Sequence, residues 1–139
     1  MEIITSVKLK DLEYFIGCNQ AESFYYSMVN EEIYNIETIV KSLSVSEEDF
    51  IANNYYYGYI MLPTLNITEA FDGFISSLNN KKVSNFFKNV DRNNVLEYWL
   101  KFDKTFHVGI ERRLWNEYYA DYIRKKAVTW CSDYGINPE

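Results

Sequence analysis

The sequence predicts a helix-rich α+β fold: a small antiparallel sheet packed by C-terminal helices, the last of them long. Three observations predict it. Aromatic and β-forming residues concentrate in short runs before Pro63, apolar residues recur at helical spacing from Asn66 onward, and one unbroken pattern runs from about Ile110 to Tyr134. The chain has 139 residues, a one-domain length, so residues 1–139 are expected to form a single domain.

Leu9, Leu12, Phe15 and Ile16 recur at three- and four-residue spacing and mark a short helix near residues 8–18. Ser23–Val29 is rich in aromatics and reads as a strand. Asn30-Glu31-Glu32 reads as a polar turn, and the alternation from Ile33 to Val40 as a second strand, giving a hairpin over about 23–40. The turn lacks the Asn-Gly pair that favours the tightest hairpins. Ser46, followed by Glu47, Glu48 and Asp49, starts a short helix, because acids suit the positive end of the helix dipole. The run from Tyr55 to Leu62 stops at Pro63 and predicts a buried strand, about 55–62, that pairs with the hairpin.

Asn66 with Glu69 opens a helix whose apolar face is Ala70, Phe71, Phe74, Ile75 and Leu78. Asn79-Asn80 ends it. Val83, Phe86, Phe87 and Val90 mark a second helix. Asp91 or Asn93 caps a third, with Val95, Leu96, Trp99, Leu100 and Phe102 expected inside. His107-Val108-Gly109 breaks the chain before the long helix. There Leu114, Trp115, Tyr118, Tyr119, Tyr122, Ile123, Ala127, Trp130, Cys131 and Tyr134 return to one wide face, and Gly135 stands where a left-handed cap is wanted.

Composition narrows the function classes. Thirteen Tyr, nine Phe and three Trp supply ample core material, but every buried Tyr hydroxyl needs a partner, so many Tyr are expected at the core edge or on a contact surface. No run approaches eighteen apolar residues, so no membrane partnership is expected. Met1-Glu2-Ile3-Ile4-Thr5 lacks the basic and apolar regions of a signal peptide. A cytoplasmic location is therefore expected, with Cys18 and Cys131 as reduced thiols. The net charge of −6 divides unevenly: residues 1–78 carry three Lys against twelve Asp or Glu, and residues 79–139 carry eleven Lys or Arg against eight.

No complete catalytic or cofactor motif is present. His107 is the only histidine, and no nucleophile elbow accompanies it; it reads as a loop residue. One His and two distant Cys fall short of a four-ligand zinc set. Glu47, Glu48, Asp49, Glu69 and Asp72 could gather around Mg²⁺, which needs only one or two carboxylates, but each is also explained as an acid near a helix start. Arg112, Arg113, Arg124, Lys125 and Lys126 share one helix with Glu117 and Asp121, which stand at pairing distance along it. Nucleic acid is therefore not expected as a partner. Tyr55, Tyr56, Tyr57 and Tyr59, with the pair Tyr25-Tyr26, form the candidate interaction patch, since Tyr favours interfaces and a run this dense cannot all point inward.

Several segments, in order, also carry a family resemblance. Trp115-Asn116-Glu117-Tyr118-Tyr119, the close Trp130-Cys131-Ser132-Asp133-Tyr134-Gly135-Ile136, Tyr59-Ile60-Met61-Leu62-Pro63 and Phe74-Ile75 resemble segments of Uncharacterised Protein Family zero-one-five-eight, a bacterial family. The chain resembles a divergent member. Glu31-Glu32 stands where the family has a turn Gly, and Asp91–Trp99 lacks the family's paired Arg. The resemblance implies an order of elements and a bacterial source, and no activity. Together these readings point to a non-enzymatic binding or regulatory module with a protein partner, a second copy included. The alternative is a small Mg²⁺-dependent hydrolase or nuclease built on Asp and Glu.

Overall fold

A computed structural model describes residues 5–18 and 23–139. Met1–Ile4, which carry most of the signal-peptide reading, lie outside the described residues. The elements run β1 (Ser6–Val7), α1 (Leu9–Cys18), β2 (Phe24–Ser27), β3 (Ile33–Asn35), α2 (Ile36–Leu43), α3 (Glu47–Asn53), β4 (Tyr59–Met61), α4 (Ile67–Ser77), α5 (Lys81–Phe87), α6 (Val95–Thr105), α7 (Ile110–Tyr134) and β5 (Asn137–Pro138). The described residues are 60% helical and include a small antiparallel sheet of three strands, so the fold is the helix-rich α+β class with the long last helix. No helix among the described residues is long and apolar enough to cross a membrane. The elements gather into two compact units, Met1–Leu65 with Ile123–Glu139, and Asn66–Tyr122.

In the first unit β2 is the central strand of the order β3-β2-β4 and runs antiparallel to both neighbours. Alternation along β2 sends successive tyrosines to opposite faces. Tyr26 packs with Leu12, Ile16, Ile60 and Trp130, whereas Tyr25 packs with Ile39 and Phe50. The Tyr26 ring meets Trp130 edge-on at 5.8 Å, and Tyr25 meets Phe50 the same way at 4.8 Å. A second, two-stranded pairing joins β1 and β5 in parallel.

The hairpin departs from its expected extent. β3 stops at Asn35, and the residues expected to continue the strand to Val40 form α2 instead. Asn35 takes an extended backbone, and its side-chain oxygen accepts from the Thr38 N–H at 2.8 Å, the bond that starts a helix. Ile36, Ile39, Val40 and Leu43 then fall at helical spacing against Tyr25 and Phe50. β4 is likewise shorter than 55–62. Tyr55–Gly58 form a turn, with Gly58 at φ 87° where a side chain would be strained.

α7 ends as its sequence predicts. Gly135 is left-handed (φ 66°), the Ile136 N–H donates to the Cys131 carbonyl at 2.8 Å, and the Gly135 N–H to Ser132 at 3.4 Å. This is the Schellman pattern, and buried Ile136 and Cys131 share one apolar cluster.

The second unit is an aromatic core between α4, α5, α6 and the first turns of α7. Phe71, Phe74, Phe87, Tyr98, Phe102, Phe106 and Trp115 are all buried. Phe71 stacks on Phe102 at 4.3 Å between centroids, and Trp115 stacks on Tyr119 at 5.0 Å. Asparagines cap three helices here: Asn66 accepts from Glu69 N–H, Asn80 from Val83 N–H and Asn94 from Glu97 N–H. Asn94, not Asp91 or Asn93, caps α6, although Asp91 accepts from the Asn93 N–H in the turn before it.

Candidate interaction surface

Burial divides the expected tyrosine patch. Tyr25 and Tyr26 are inside, at 4% and 0% exposure, and are core residues, not surface contacts. The reason is the pleat of a central strand with apolar material on both faces. The Tyr26 hydroxyl donates to the Ser6 carbonyl at 2.7 Å. Burial, with smaller contributions from Glu31 and Cys131, pushes its pKa up to about 12. Tyr57 and Tyr59 are half-buried against Phe50, and the Tyr57 hydroxyl donates to Asp49 at 2.6 Å. Tyr55 and Tyr56 alone are open, at 67% and 86% exposure. Ile51 and Val29 are exposed as well. Val29, in the turn between β2 and β3, lies beside Gly58, and Ile51 precedes Tyr55 by one helical turn.

A second apolar surface lies where the sequence predicts core. Of the α6 residues expected inside, Phe102 is buried, but Val95, Leu96, Trp99 and Leu100 are exposed. The buried stripe of α6 is Tyr98 and Phe102, continued by Phe106, which pack with Phe71 and Phe87. A helix turns 100° per residue and can offer a core only one stripe. Leu96, Trp99 and Leu100 lie at i, i+3 and i+4 on another. A groove of about 500 Å³ continues this face and is lined by Phe86, Leu100, Lys101, Lys104 and Thr105. The Lys101 ammonium lies 4.3 Å from the Phe86 ring centroid and donates to the Phe86 carbonyl at 2.7 Å. The signal was in the sequence: six of the first eight residues of α6 are apolar or aromatic, more than one stripe can bury.

His107 is exposed in the loop before α7. Glu47, Glu48 and Asp49 belong to the first unit, Glu69 and Asp72 to the second. Asp72 accepts from Arg92 at 2.9 Å and from the buried Tyr98 hydroxyl at 2.6 Å. Burial first, and that bond second, hold the Tyr98 pKa well above the usual tyrosine value. Among the described residues no three His, Cys, Asp or Glu side chains come together as a metal site. The basic residues of α7 have acidic neighbours: Arg112 bonds Asp103 at 2.9 Å, Arg113 lies 3.7 Å from Glu117, and Arg124 bonds Glu13 at 2.9 Å. Cys18 is exposed, Cys131 is buried, and neither forms a disulfide. No family model, curated protein or solved structure matches the chain.

Proposed function

We propose that this chain is a non-enzymatic binding module of the bacterial cytoplasm whose partner is protein and whose main contact surface is the outer face of α6. One observation carries the reading. Leu96, Trp99 and Leu100 stand exposed at 66%, 45% and 53% on one stripe, beside an apolar groove edged by lysines. Scattered exposed apolar residues are ordinary, but a contiguous stripe with a central Trp resembles the anchor of an interface. Spacing at i, i+3 and i+4 suits helix-on-helix docking. The bacterial setting is supported by the family resemblance. The pairing of Arg112, Arg113 and Arg124 with acids favours protein over nucleic acid as the partner.

The alternative, a Mg²⁺-dependent hydrolase or nuclease, has no such observation in its favour, since Asp49 and Asp72 are engaged by Tyr57, Arg92 and Tyr98. The test of the main reading is capture from host extract by the immobilised chain and by its Trp99→Glu variant, with circular dichroism showing both folded. A protein retained by the wild type and lost by the variant supports the surface. Equal retention by both removes it.

A further inference from the structure

We propose that the occupant of the α6 face is a second copy of this chain, which docks through the acidic, apolar face of α3 and the turn that follows it. The proposal rests on the reading of the α6 face as a binding surface and names what fills it.

The α3 face has the complementary chemistry. Glu48, Ile51 and Tyr55 recur at i, i+3 and i+7, and all three are exposed. Asn54 keeps a right-handed helical backbone, so the helical sense carries from α3 toward Tyr55. Tyr56, next along, is the more exposed of the two tyrosines. The face therefore offers apolar anchors with carboxylates at one end. The α6 groove offers apolar walls, Phe86 and Leu100, with Lys101 and Lys104 at its edge. An aromatic ring fits a space of about 500 Å³, and the lysines match the acids. Glu97 on α6 does not oppose this, because it is turned to its own helix cap, where it accepts from Asn94.

Charge is distributed to the same effect. Met1–Leu65 with Ile123–Glu139 carries six Lys or Arg against twelve Asp or Glu, the whole of the net −6, while Asn66–Tyr122 carries eight of each. An acidic face from one copy thus meets a surface that bears no net repulsion. Each copy has one face of each kind, so the contact is heterologous and builds a closed ring of copies or an open chain of them.

Sedimentation velocity across a concentration series tests the proposal. The wild type is expected to shift to faster species as concentration rises, and to lose that shift in high salt. Lys104→Glu and Glu48→Lys, both at exposed positions, are each expected to sediment as monomers. Their equimolar mixture is expected to recover association, because it restores one native and one charge-swapped contact. Association unchanged in both single variants overturns the proposal. A wild type that stays monomeric at its highest soluble concentration also overturns it. In that case Trp99-dependent capture of another protein leaves the binding reading standing, and its absence removes both.

Discussion

At the scale of single residues, three non-glycine positions, Glu31, Ser44 and Asn79, hold left-handed backbone that glycine would hold more cheaply. Glu31 (φ 59°) closes the hairpin and Ser44 (φ 56°) caps α2. The left-handed region costs an L-residue roughly 1–2 kcal/mol. Ser44 is the cleaner test, since Glu31 also accepts from the Ser6 hydroxyl. Ser44→Gly is expected to stabilise the chain by about 0.5–1 kcal/mol, read as a higher urea midpoint. Tyr26 gives a pH dependence of definite sign. Its folded pKa, about 12, lies above the roughly 10 of an unfolded tyrosine, so the folded state holds the proton longer. The stability this supplies is complete below about pH 10 and is lost as pH rises toward the folded value. Tyr26→Phe should flatten that alkaline fall, at a cost of about 1 kcal/mol for the lost bond to Ser6. An unaltered alkaline slope in the variant would assign it to other groups.

At the scale of elements, caps decide what patterns alone leave ambiguous. Ile36, Ile39, Val40 and Leu43 satisfy helical spacing, while Ile33–Val40 also alternates as a strand would. The choice is made by Asn35, whose side chain accepts the Thr38 N–H. Asn35→Ala is expected to destabilise by about 1 kcal/mol, and exchange of the α2 amides should rise with it. Where a cap and a long pattern agree, the element is legible in advance: α4 from Asn66 and α7 to Gly135 stand as read. The short elements were less so. Two-residue β1 and β5 carry no periodicity at all, and their pairing depends on segments at opposite ends of the chain. α6 failed differently. Its apolar residues spread over more than one stripe, so Val95, Leu96, Trp99 and Leu100, expected inside, stand exposed. The tyrosines failed for the reverse reason: a central strand buries both faces, and nothing local to Tyr25-Tyr26 announces that β2 is central.

At the scale of the whole molecule, the aromatic excess serves two ends. Most of it builds the cores, where rings such as Phe102 are fully enclosed; Phe102→Ala is expected to cost about 3–5 kcal/mol in a urea titration. Part of the rest stands outside, with Trp99 on α6 and Tyr55 and Tyr56 after α3 among the exposed rings. Those outward residues give the chain its proposed use, and they can be watched directly. A chain of 16.6 kDa suits amide NMR. Labelled chain titrated with unlabelled chain should show shifts concentrated on α6 around Trp99 and on the segment from Glu47 to Tyr56. Spectra that do not change with concentration, or changes confined to other surfaces, would contradict the account.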